Sequence, residues 1–88
     1  MLQNAPMATP LSRPVKKTAS TDNEAIGQAV RETRRRHGMT QTELAGLSGT
    51  GLRFVSELER GKPNVALSKV VAVLSALGLR LEVRGDGP

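Results

Sequence analysis

The sequence predicts an all-α domain of four short helices, closed by one short C-terminal strand. Three observations carry that prediction. Apolar side chains recur at helical spacing in segments separated by Gly38, Gly49, Gly61 and Gly78. Two capping boxes, Thr21-Asp-Asn-Glu24 and Thr40-Gln-Thr-Glu43, mark helix starts ahead of such segments. After Gly78 the period changes: Leu79, Leu81 and Val83 alternate with Arg80, Glu82 and Arg84, the pattern of a half-buried strand.

Residues 1–20 read as a disordered arm, since Pro6, Pro10 and Pro14 interrupt helix and sheet and the apolar residues show no period. Arg13, Lys16 and Lys17 make the arm basic; such an arm either lies along phosphates or stays a solvated tail. The first helix begins near Thr21 or Asp22, with Ile26, Ala29, Val30 and Thr33 as its inner stripe. Arg34, Arg35 and Arg36 crowd its last turn, where cations meet the negative end of the helix dipole, and His37 is an exposed helix-end residue.

The second helix starts at Thr40, with Met39 and Leu44 placed as a hydrophobic staple. Leu44, Ala45 and Ser48 share one face, with Leu47 beside them. Gly49 permits the positive backbone angle of a tight turn, and Thr50 or Gly51 caps the third helix. There Val55 and Leu58 point one way while Arg53, Ser56, Glu57 and Arg60 point the other. A short helix burying only two strong apolar side chains is not there for stability; its polar face is its product.

Lys62-Pro63-Asn64 forms a loop, and a fourth helix follows over about 66–77. Its apolar Leu67, Val70, Val71, Val73, Leu74 and Leu77 exceed one buried stripe, so the surplus is either core or a dimer face. The strand over 79–84 cannot satisfy its own backbone. The same strand of a second copy is the simplest partner; the alternative is an irregular tail folded over the core. The expected organisation is an arm at 1–20, a helical domain at 21–78, the strand at 79–84 and a tail at 85–88.

Composition narrows the function classes. With 88 residues the chain makes one domain of modest core, in the size range where oligomerisation often adds burial. It has no cysteine, and its single histidine argues against a zinc centre. One aromatic residue, Phe54, makes no stacking platform for single strands. The absence of a long apolar run and the prolines near the start lead us to expect no membrane span, no export signal and a cytoplasmic protein. There is no nucleophile–base pairing, no glycine-rich phosphate loop and no metal-ligand spacing, so neither an enzyme nor a cofactor is expected. A formal charge of +5 suits a polyanionic partner, and suits solubility as well.

Residues 40–61, TQTELAGLSGTGLRFVSELERG, resemble the helix-turn-helix of the Xre/Cro/phage-repressor family. The likeness rests on Gln41-Thr-Glu-Leu-Ala, the Gly49 turn and Val55-Ser-Glu-Leu-Glu-Arg-Gly61, and extends over roughly 26–79. It implies a lambda-repressor-like fold, double-stranded DNA as partner, and the second helix of the motif in the major groove. It also implies that Gln41 meets a phosphate and sometimes the outermost base; a solvent-exposed helix start is the alternative. Arg53 is the best candidate base reader, its guanidinium forking onto guanine O6 and N7, or else a phosphate contact. Thr50, Gly51, Leu52, Ser56, Glu57, Arg60 and Lys62 complete the candidate DNA-binding set. Leu52 either meets a thymine methyl or flanks the core, and Lys62 either meets a phosphate or is solvated. Glu57 either accepts from cytosine N4 or positions Arg53 or Arg60; the positioning role is preferred, because a bare carboxylate near phosphates is costly. Gly51-Leu52 stands where the family often has polar side chains, which shifts part of the discrimination to DNA shape. The resemblance also implies that Arg34, at a position that in this family often pairs with the acid near the end of the second motif helix, pairs with Glu59 and orients the motif, leaving Arg35 and Arg36 as candidate phosphate contacts.

A short domain followed by a strand-like tail is, within that family, most similar to HipB-type antitoxins. This implies a homodimer joined through Leu79, Leu81 and Val83, bound to a palindromic operator with half-sites about one helical turn apart. It further implies a HipA-like kinase toxin as partner, and hence a sequence-specific transcriptional repressor that autoregulates its operon. The alternatives are an interaction module that chiefly neutralises a toxin, and a stand-alone or phage-type regulator without one.

Overall fold

The computed structural model describes residues 22–85 and contains α1 (Asp22–Arg36), α2 (Gln41–Ser48), α3 (Leu52–Glu59) and α4 (Leu67–Ala76). The basic arm at 1–20, Thr21 of the first capping box and the tail beyond residue 85 lie outside the described residues.

Local sequence sets the helix ends. At the start of α2 the Thr40 hydroxyl accepts from the Glu43 N–H at 3.0 Å, and the Glu43 carboxylate accepts from the Thr40 N–H at 2.8 Å. The box satisfies two amides that the helix itself cannot. The four helices end alike, in a glycine followed by a residue whose N–H reaches five positions back. The N–H groups of Met39, Thr50, Lys62 and Leu79 donate to the carbonyls of Arg34, Ala45, Glu57 and Leu74, at 3.1, 3.1, 3.1 and 2.8 Å. Gly49 has φ 69°, the left-handed geometry that turns the chain sharply from α2 into α3.

Val30, Leu44, Ala45, Val55, Leu58, Val70, Val73, Leu74 and Leu77 form the core, with Ile26, Met39, Phe54, Val65 and Leu79 packed around it. α2 packs on both α3 and α4, and α1 packs on α3. Gly27 sets the last of these contacts: a Cβ there would stand 2.2 Å from the Leu58 carbonyl oxygen. The inner stripe of α1 is therefore Gly27, Val30 and Thr33, whereas Ala29, expected inside, is exposed. Leu47 also differs from expectation, standing 65% exposed. On α4 the surplus apolar residues Leu67 and Val71 are not core but surface.

The strand expected at 79–84 is a correction, because no strand forms among the described residues. Leu79 explains much of the difference. Its N–H is taken by the Leu74 carbonyl in the closure of α4, and its side chain packs on the core. A strand also needs partner amides, which a single chain does not supply at this edge. Leu81 and Val83 are left exposed in the single chain, Val83 at 96%. No helix among the described residues is long and apolar enough to cross a membrane.

Candidate nucleic-acid interface

The turn between α2 and α3 decides what α3 presents. Gly51 is the N-cap of α3 and no side chain caps it. The Thr50 hydroxyl, one candidate for that cap, instead bonds the Ser48 hydroxyl at 2.8 Å and so stiffens the turn. Val55 and Leu58 are buried, which fixes the rotation of α3 and turns Arg53 outward.

Charges on α3 run against its dipole. Helices favour acids in the first turn and bases in the last. α3 has neither; Arg53 stands in the first turn, and Glu57 and Glu59 stand near the C-terminus. Stability therefore does not account for this layout. Arg53 is 90% exposed and its Nε donates to Glu57 Oε2 at 3.2 Å. Glu57 Oε1 accepts from Lys62 Nζ at 3.1 Å. Hydrogen bonding from Lys62, then from Arg53, holds the Glu57 carboxyl below its ordinary pKa. Arg60 points its Nη1 at Ser56 Oγ, 3.0 Å away, and not at Glu57.

One flank of this face is braced by ions. Arg34 Nε donates to Glu59 Oε2 at 2.6 Å and Arg34 Nη2 to Glu59 Oε1 at 3.0 Å, a two-pronged pair. Arg34 Nη1 also donates to the Met39 carbonyl at 2.8 Å, and Gln41 Nε2 to Glu59 Oε1 at 3.0 Å. Three helices thus meet at one carboxylate. Burial alone raises the pKa of Glu59, but hydrogen bonds from Arg34 and Gln41 outweigh it and the net shift is downward. The Arg34 guanidinium is raised, first by its hydrogen bond to Glu59.

Beside this brace lies a hollow of about 310 Å³, lined by Arg31, Arg34, Arg35 and Arg60 with Gln41 and Ser56 among others. The Arg34–Glu59 pair is matched, so Arg31, Arg35 and Arg60 leave the hollow a positive excess suited to an anion. Of the residues singled out in the sequence, Arg53, Glu57 and Lys62 form one cluster, and Gln41, Ser56 and Arg60 line the hollow with Arg34 and Glu59. Leu52 is half exposed at the start of α3. Phe54 packs against the core, with Lys69 Nζ 5.8 Å from its ring centroid. Arg36 is not in the hollow and lies 3.4 Å from the Thr33 hydroxyl. Arg31 and Asn23 were not singled out in the sequence. Arg31 lies one turn before Arg35, a spacing that alone would have placed both on one side. Asn23 bonds the loop after α3 across 39 residues, for which no local pattern exists.

Two helices joined through a left-handed glycine, the second with a charged outer face, define a helix-turn-helix domain. Residues 30–83 match the family described as Helix-turn-helix, and the chain belongs to that family, in its Xre-type branch. It is 44% identical over 62 residues to an uncharacterized HTH-type transcriptional regulator, y4mF, of Sinorhizobium fredii, covering 70% of this chain and 82% of the relative. Among solved structures, the restriction-modification controller protein C.AhdI of Aeromonas hydrophila is similar, with a TM-score of 0.60 and 37% identity. That match covers 67% of this chain and 89% of the controller. A chain of the HipA-HipB-O2-O3 complex superposes with a TM-score of 0.67 over 80% of this chain and 99% of that one; at 23% identity the likeness is of fold alone.

Proposed function

We propose that the chain is a sequence-specific transcriptional regulator that docks α3 in the major groove of double-stranded DNA. The charge layout of α3 carries this reading. Arg53 is an exposed cation in a turn where the dipole disfavours one, and a guanine edge offers its fork two acceptors. The arginine-lined hollow beside α2 supplies a place for a backbone phosphate. The transcriptional-regulator name of y4mF agrees with this reading. Acting as a repressor, the protein would work in the cytoplasm, where its DNA lies.

Arg53→Ala is expected to cost about 1–3 kcal/mol on the duplex that the wild type selects from a random pool, and to relax one or two base pairs. Fluorescence anisotropy against single-base variants of that duplex measures it; an unchanged base preference would remove Arg53 as reader.

Reading a palindrome takes two copies. Leu67 and Val71 stand one turn apart on α4 and are exposed, which supports α4 as the homodimer face. Val71→Asp should keep the fold and move sedimentation from dimer to monomer; a persistent dimer would place the contact elsewhere. A narrower role, autoregulating antitoxin of a HipA-like kinase, has the fold likeness to the HipA-HipB-O2-O3 chain as its support. Recovery of a kinase together with the chain from its native host would favour that role, and DNA without a protein partner would leave a plain regulator.

A further inference from the structure

We propose that Glu57 is a specificity-determining residue: it ties Arg53 and Lys62 into one ionic bridge that withholds both cations from sequence-independent contact with DNA phosphates. The inference rests on the proposed docking of α3 and adds what keeps that docking selective.

Each carboxylate oxygen takes one cation. Oε2 accepts from Arg53 Nε at 3.2 Å and Oε1 from Lys62 Nζ at 3.1 Å. The Glu57 side chain is 19% exposed, well below that of either partner, so it lies beneath the two cations and does not compete with them for the surface. Lys62 is held at its main chain too. Its N–H donates to the Glu57 carbonyl at 3.1 Å, and its own carbonyl accepts from Asn23 Nδ2 at 3.1 Å. One residue therefore governs the loop cation through both backbone and side chain.

The consequences for DNA differ by target. Sequence-independent affinity grows with the number of phosphates neutralised and counterions released. A cation already matched by a carboxylate contributes less of both. A guanine edge is a different acceptor, because it engages two nitrogens of the guanidinium in one plane. The bridge uses Arg53 Nε and leaves the two terminal nitrogens outside it, the pair that forks onto O6 and N7. Glu57 thus taxes phosphate contact and spares the base contact. Stability does not explain the bridge, since Arg preceding Glu is the less favourable order for an i, i+4 pair and both charges oppose the dipole. A glutamate is ionised at neutral pH in any case, and hydrogen bonding from Lys62 and Arg53 lowers the Glu57 pKa further, so the bridge is charged under ordinary conditions.

Glu57→Gln tests this in the full chain, since it keeps the shape and removes the charge. Affinity is read by fluorescence anisotropy over a salt series, for the duplex that the wild type selects and for a scrambled duplex of equal length. The variant should bind the scrambled duplex several-fold more tightly, with a slope of log affinity against log salt steeper by about one. The ratio of selected to scrambled affinity should fall by about the same several-fold, and Glu57→Gln/Lys62→Gln should return the slope toward that of the wild type. A merely structural Glu57 would weaken both duplexes together and leave their ratio alone, which would overturn the inference. An unchanged ratio and slope, in a chain whose wild type discriminates, would also overturn it while the DNA reading stands. A wild type that selects no duplex would overturn both.

Discussion

Replacing Glu59 with alanine should lower the stability of the folded chain by about 3–5 kcal/mol, the range for removing one partner of a buried ion pair. The side chains of Arg34 and Glu59 are only 11% and 3% exposed, so without the carboxylate the guanidinium keeps its burial and loses two of its acceptors. Gln41 loses its partner as well, which frees the start of α2 from α3. Urea unfolding followed by circular dichroism measures the change; a loss under about 1 kcal/mol would mean that the pair behaves as a solvated one. Glu59→Gln should cost less, because the amide oxygen still accepts from Arg34. The same site has a pH signature. The folded carboxyl lies below its unfolded value, near 4.3, so its contribution is complete above that value and is lost as pH falls through the lower folded one. Stability of the wild type should therefore drop on acidification in that window, more steeply than that of Glu59→Gln.

Gly27→Ala should cost stability at the upper end of the roughly 1–3 kcal/mol expected for overpacking, although alanine is the better helix former by about 1 kcal/mol. The added methyl would stand 2.2 Å from the Leu58 carbonyl oxygen, and the main-chain atoms of Glu59 follow at 3.1 and 3.2 Å. Backbone cannot rotate away as a side chain can, so α1 must lift off α3. That movement stretches the Arg34–Glu59 pair, which couples the substitution to the orientation of α3. Thermal unfolding reads the loss, and a gain in melting temperature would show that the two helices separate freely.

Much of the helical framework can be derived from sequence because its signals are local. The Thr40–Glu43 box, the glycine closures and the burial of Val55 and Leu58 are each decided within a few residues. Errors occur where a local pattern serves a different local purpose. Leu79 fits a strand by alternation, yet it is the residue that closes α4. Ala29 fits an apolar stripe, yet Gly27 occupies the contact, and a glycine gives no hydrophobic signal. The candidate site divides the same way. Arg53 and Glu57 lie one turn apart and their pairing follows from spacing, whereas Lys62 completes the bridge only because the glycine closure brings it back over α3. Gln41, read as a donor to phosphate, already donates to Glu59, a partner 18 residues away.

Selection of bound duplexes from a random-sequence pool, read by sequencing, shows whether α3 reads base edges. Enrichment of an inverted repeat is expected, with half-site centres about 34 Å apart and a guanine at the position lost in Arg53→Ala. A recovered pool indistinguishable from the input would contradict it, because α3 would then present its charges to something other than base edges.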